Sequence, residues 1–173
     1  MELRDPDVSL RAAFQRMAEE FRAAGEARHR EVCSMDEAAF AAYVTRLSAA
    51  SRGEGLERGR VLEHSYWALD NSELVGVSRL RPTLDAFHER LTGHLGFELI
   101  PARWTLPTGL RLVEQTLEKA RVLGKTGLLV CCDPENERRR QVFELAGAVL
   151  LDEVSGLLQE GDAYRKVRYR IAL

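Results

Sequence analysis

The sequence predicts an α/β (α+β) domain, a single mixed and mostly antiparallel sheet flanked by helices. Three observations lead there. The periodicities along the 173 residues run helix, helix, hairpin, strand, helix, strand, helix, strand, strand. Gly127–Cys132 is an uninterrupted apolar run of strand length, as expected for a strand covered on both faces. The composition, 45% hydrophobic and 30% charged, supports one folded core, while only 7% aromatic residues make aliphatic packing its main material.

Taken in order, the first element is a helix over residues 5–25. Asp5 is placed to cap it, Pro6 suits its first turn, and Gly25 can end it. Leu10, Phe14, Met17 and Phe21 recur at steps of four, three and four, which lays an apolar stripe along one face. A second helix begins at the capping-box pattern Ser34-Met35-Asp36-Glu37 and buries Phe40, Val44 and Leu47. After the loop at Arg52-Gly53-Glu54-Gly55 the period changes. Ser65–Leu69 and Leu74–Ser78 flank the turn residues Asp70-Asn71-Ser72-Glu73 and read as a hairpin.

Residues 82–92 are a polar excursion with the character of a short helix. Gly93–Ile100 reads as a strand and Thr108–Leu123 as a helix stopped by Gly124. The apolar strand 127–132 comes next, then a helix over Pro134–Ala146 ended by Gly147. The last two strands are Ala148–Val154 and Tyr164–Leu173. Neither a repeat nor a low-complexity segment interrupts this order, so residues 1–173 read as one domain. Residues 1–60 form a helical opening region and 61–173 form the sheet core.

Lys and Arg total 25 against 27 Asp and Glu, a formal net charge of −2. That balance argues against a dedicated nucleic-acid binder. The apolar runs are too short and too charged to span a membrane, and acids at Glu2, Asp5 and Asp7 are unlike a signal peptide. Cys33, Cys131 and Cys132 make neither a disulfide framework nor a zinc pattern. The expectation is a cytoplasmic protein with no metal, and a homodimer is compatible with it.

From Tyr66 to Leu173, four segments together carry a family resemblance. They are Tyr66–Leu69 through Leu74–Leu80; Gly93-His94-Leu95-Gly96-Phe97; Leu117–Gly124 with the apolar strand after it; and Cys132-Asp133-Pro134-Glu135-Asn136 through Phe143–Ala148. In order and spacing they resemble the GNAT superfamily of acyl-CoA-dependent N-acetyltransferases, and in particular its small bacterial branch of predicted acetyltransferases. About two thirds of the chain is covered. The resemblance implies acetyl-CoA as cosubstrate and transfer of an acetyl group to the primary amine of a small molecule or protein.

It also implies positions. The backbone of Leu99 and Ile100 corresponds to the segment whose splayed amides face the pantetheine and thioester, and Asn136 to an asparagine that bonds the pantetheine arm. Trp104-Thr105-Leu106-Pro107-Thr108-Gly109 corresponds to the pyrophosphate loop. That loop ordinarily reads Arg or Gln, two residues, Gly, one residue, then Gly or Ala, so that amides at a helix start approach the phosphates. Only Gly109 matches. Pro107 stands where the central glycine belongs and has no N–H, although proline is also an ordinary helix starter. A lost donor costs roughly 1–3 kcal/mol, and Trp104 replaces a cation.

The family's thiolate-protonating tyrosine is matched by Phe143, which has no proton to give. His94 is the candidate general base, with a structural histidine as the alternative. Glu98, four residues on and on the same strand face, is a second candidate; the alternative is an exposed strand acid. In the run Arg138-Arg139-Arg140, Arg139 is a candidate for the cofactor phosphates; the alternative is a solvated face paired with Glu135, Glu137 or Glu144. The sequence thus supports two functions of different class. One is an acetyl-CoA-dependent N-acetyltransferase; the other is a catalytically inactive GNAT-fold protein whose degenerate cleft serves binding or regulation.

Overall fold

The computed structural model describes residues 1–57, 59–158 and 161–173. The chain opens on a short strand, β1 (Glu2–Arg4), which the sequence pattern does not announce. It pairs antiparallel with β2 (His64–Asp70), Leu3 opposite Ala68. Because residues 2–4 are committed to the sheet edge, the first helix starts later than its capping signals suggest. Asp7, not Asp5, caps a single 3-10 turn by accepting from the Ser9 N–H, and α1 (Arg11–Ala23) follows. Asp36 likewise caps α2 (Glu37–Ser51) in place of Ser34, accepting from the Ala39 N–H at 2.8 Å. Ser34 is instead the last residue of a 3-10 turn, Arg30–Ser34.

β2 turns into β3 (Glu73–Leu80) through Asn71 and Ser72, both at positive φ (49° and 68°). That geometry matches the right-handed twist of the flanking strands, and asparagine tolerates it better than most residues. The short helix α3 (Ala86–Leu91) leads to β4 (Leu95–Leu99), then α4 (Leu106–Val122), β5 (Gly127–Cys132), α5 (Glu137–Leu145), β6 (Val149–Leu157) and β7 (Ala163–Ala172).

All strand pairings are antiparallel among the described residues. They form not one sheet but two: β1-β2-β3-β4 and β5-β7-β6. The halves meet at an isolated bridge between Gly93 and Val130, with the His94 N–H donating to Leu129 O at 2.7 Å. The reason for the close contact is steric. Gly93 sits at φ 65°, and a Cβ there would lie 2.5 Å from Leu129 O.

Two helical layers cover the larger sheet. On one face, Trp67 is buried against Phe14 of α1 and Phe40 of α2, at centroid distances of 4.5 and 6.0 Å. On the other, Ser78 shares a 2.7 Å hydrogen bond with Thr116 of α4, and Phe97 meets Phe143 of α5 edge-on at 5.9 Å. No helix among the described residues is long and apolar enough to cross a membrane.

The bridge predicts a contrast between two glycines. Gly93→Ala should cost at least about 3 kcal/mol, combining positive-φ strain with collision against the β5 backbone. Gly124→Ala, at φ 74° with nothing within 4 Å of the added carbon, should lose only about 1–2 kcal/mol. Urea denaturation of both variants measures the difference, and equal losses would refute a steric role for Gly93.

Candidate active site

Beyond the Gly93 bridge, β4 and β5 make no strand pairing among the described residues, which leaves a gap in the sheet between them. The β3–β4 register shows what lines it. Arg81 N–H donates to His94 O, and Ile100 N–H donates to Val75 O. Antiparallel alternation therefore turns the backbone groups of Leu95, Phe97 and Leu99 the other way, toward β5. Leu99 thus presents an amide to the gap with no strand partner among the described residues. Ile100, expected beside it, spends its N–H inside the sheet.

The helix that starts beside the gap is α4. Thr105 caps it, its hydroxyl accepting from the Thr108 N–H at 3.2 Å and sharing a 2.7 Å bond with the Thr108 hydroxyl. Gly109 N–H donates to Thr105 O. Pro107 has no N–H, so in the first turn only Leu106 keeps an amide free of these bonds. A Cβ on Gly109 would lie 2.9 Å from Val142 of α5 and 3.5 Å from the Trp104 ring. Trp104 therefore packs over the helix start, 6.5 Å from the Phe97 ring and with the Arg138 guanidinium 5.7 Å from its own centre.

α5 flanks the gap from the same side. Asn136 caps it by accepting from the Arg139 N–H at 3.1 Å. The three arginines that follow do not form a uniform solvated face. Arg140 donates to the Tyr169 hydroxyl at 3.0 Å and to Pro134 O at 3.2 Å. Arg139 lies over the Phe97 ring, 4.8 Å from its centre, and donates from Nη2 to Phe97 O at 2.6 Å. Since Phe97 O faces β5, the guanidinium stands in the gap itself. Burial first, and the Arg28 charge second, hold its pKa below the ordinary arginine value.

Glu98 is not the exposed strand acid that its position allows. It is buried, because the turn at Arg30–Ser34 and the residues before it fold down onto this face of β4. His29 Nε2 lies 2.6 Å from its Oε1, Arg79 donates to the same oxygen at 2.7 Å, and Arg28 stands 3.6 Å from Oε2. Burial pushes the carboxyl up, but the His29 hydrogen bond and the Arg79 charge outweigh it and hold the pKa at about 2. A carboxylate this acidic is a weak proton acceptor. His29 itself is in the left-handed region at φ 55° and packs edge-on against Phe14 at 5.1 Å. The local sequence Ala27-Arg28-His29-Arg30 contains no motif that marks this position.

His94 stands at the closed end of the gap. Its Nδ1 accepts the Leu129 N–H at 2.9 Å, which places the ring proton on Nε2 in the neutral form and leaves neither nitrogen as a base. Burial first, then the Lys125 charge, lower its pKa and favour that neutral form. Phe143 is fully buried between Phe97 and Tyr169. The Tyr169 hydroxyl donates to Glu144 at 3.0 Å and is turned to α5, not to the gap. No group of three metal-ligating side chains stands together among the described residues.

Two outcomes are expected at Glu98. Glu98→Gln leaves Arg79 and Arg28 facing a neutral group. The loss should lie near the low end of roughly 3–5 kcal/mol, since Arg79 retains 31% side-chain exposure. The folded pKa is depressed, so the carboxylate's contribution is complete above its unfolded value near 4.5 and disappears as pH falls toward about 2. Urea midpoints measured from pH 5 to pH 2.5 should fall more steeply in the parent protein than in the variant; parallel curves would contradict this.

The sequence matches no protein-family model and no curated protein. Solved structures do match. The microcin C7 self-immunity acetyltransferase MccE, in complex with acetyl-CoA and AMP, superposes with a TM-score of 0.71 over 99% of this chain and 91% of that one, at 11% identity. A GNAT-family acetyltransferase from Streptococcus pneumoniae gives 0.65 at 13% identity over 99% of both chains. The ribosomal-protein-alanine N-acetyltransferase of Brucella melitensis gives 0.65 at 11% identity over the whole of both. At these identities the likeness speaks for architecture: the chain has the GNAT acetyltransferase fold.

Proposed function

We propose that the protein is an acetyl-CoA-dependent N-acetyltransferase that acylates a primary amine in the gap between β4 and β5. The observation that carries this reading is the parting of the two strands, which leaves the Leu99 N–H aimed into the gap. An acyl thioester supplies an activated carbonyl carbon and a thiolate leaving group. The Leu99 amide is the chain's donor to the oxygen of that carbonyl, and a buried donor positioned in advance is worth most where charge develops. On the α1–α2 face of β4 the buried Glu98 carboxylate, with Arg79 and His29, makes a fixed, charged support beneath the gap.

His94 acts as a structural clip that holds β5 to the start of β4. Glu98 acts as a positioning group, since it is too acidic to take the amine proton efficiently. As the N–C bond forms and the C–S bond breaks, the amine nitrogen gives its proton to solvent, and with Phe143 in place of a hydroxyl the departing thiolate takes one from solvent.

The residues present suit the thioester end better than the phosphate end. At the start of α4, Pro107 supplies no donor and Thr105 already satisfies Thr108. This favours weak cofactor affinity and supports a second reading, a GNAT-fold protein whose cleft binds another ligand without catalysis. The observation behind that reading is Arg139, whose guanidinium occupies the gap. The expected cytoplasmic location and a homodimer remain part of the proposal.

Calorimetry with acetyl-CoA decides between the two. The enzyme reading expects saturable binding in the high-micromolar to millimolar range, and Pro107→Gly should tighten it about tenfold by restoring one phosphate donor. Absence of binding at several millimolar in both proteins would overturn the acetyltransferase reading and leave the non-catalytic one.

A further inference from the structure

Arg139 is a cation placed where a neutral acetyl group has nothing to offer it. Its Nη2 bonds a backbone carbonyl, its plane lies against Phe97, and no carboxylate stands within ion-pair distance of it among the described residues. Arg79 and Arg165 differ: Arg79 has Glu98 and Glu63, and Arg165 has Glu153 and Glu135, whereas Arg140, like Arg139, bonds neutral oxygens, those of Tyr169 and Pro134. Arg28 approaches from the opposite face of β4 and shares Glu98 with two other partners. At the edge of β4 the cations therefore outnumber the carboxylate that faces them.

Resting on the acyltransferase reading, we propose that Arg139 is a specificity-determining residue and that, among the acyl thioesters the gap can take, it prefers one whose acyl group ends in a carboxylate over acetyl. Leu99, whose amide is the proposed donor to the thioester carbonyl, and Phe97, whose carbonyl holds Arg139, are two residues apart on the same edge of β4, so the cation stands within a short acyl chain of the reacting carbon. A terminal carboxylate offers a bidentate partner to the planar guanidinium. The same chemistry could also come from a free diacid, which would bind without the thioester.

The experiment measures dissociation constants of succinyl-CoA, acetyl-CoA and free succinate for the parent protein, Arg139→Gln and Arg139→Lys. Succinyl-CoA should bind at least tenfold more tightly than acetyl-CoA. Arg139→Gln should remove that preference, and Arg139→Lys should retain part of it. Preference unchanged in Arg139→Gln, or equal binding of both thioesters to the parent, would overturn the proposal while leaving the acyltransferase reading intact. Binding of succinate alone, lost in Arg139→Gln, would overturn the thioester reading and retain Arg139 as a carboxylate site. If none of the three ligands binds, both fail together.

Discussion

The site depends on one constraint: among the described residues, backbone pairing between the β4 and β5 segments is restricted to a single bridge, Gly93 to Val130. Gly93 lets the two backbones touch, and His94 locks the contact by accepting the Leu129 N–H while its own N–H donates to Leu129 O. Past that point the strands diverge, so one edge of β4 keeps backbone groups unpaired by any strand. Unpaired backbone in a sheet interior is costly unless something satisfies it. Here the Arg139 guanidinium meets the Phe97 carbonyl, while the Leu99 N–H has no strand partner among the described residues. Structural demand and functional opportunity thus arise from the same opening.

The charges around the gap follow from the layers above and below it. The N-terminal helices and the turn after them bring His29 and Arg28 onto Glu98, converting a strand carboxylate into the buried centre of a network with Arg79. From the opposite face, α5 sends Arg139 to the neighbouring residue of the same strand. Two helical layers with no sequence relation to each other therefore converge on Phe97 and Glu98. That convergence holds the Glu98 carboxylate well below the usual carboxylate range between Arg79, Arg28 and His29, and sets the Arg139 guanidinium against Phe97 on the other face.

Much of the architecture was readable beforehand. Apolar stripes, Gly stops and the Asn71-Ser72 turn located most elements within a few residues. The displaced helix starts are instructive, because Asp5 and Ser34 are good caps in isolation. Ser34 was instead taken into the Arg30–Ser34 turn, and with β1 occupying residues 2–4 the cap beyond Asp5 moved to Asp7. The degenerate loop was also legible: Pro107 announced a missing amide, and the structure added that Thr105 satisfies one more. His29 could not be found from sequence, since its partner lies 69 residues away and nothing local distinguishes it.

The sequence by itself determined the order of helices and strands, the loss of the glycine before α4 and the absence of a hydroxyl at Phe143, because periodicity, turn chemistry and side-chain inventory are local properties. Only the tertiary structure decided that the sheet divides in two and that Glu98 is buried among arginines and His29. It also decided that His94 bonds the Leu129 backbone through its ring and its N–H, and that Arg139 reaches from α5 to the Phe97 carbonyl. Each of these is a contact between segments far apart in the chain, and side chains take up such roles only when packing has fixed which surfaces meet.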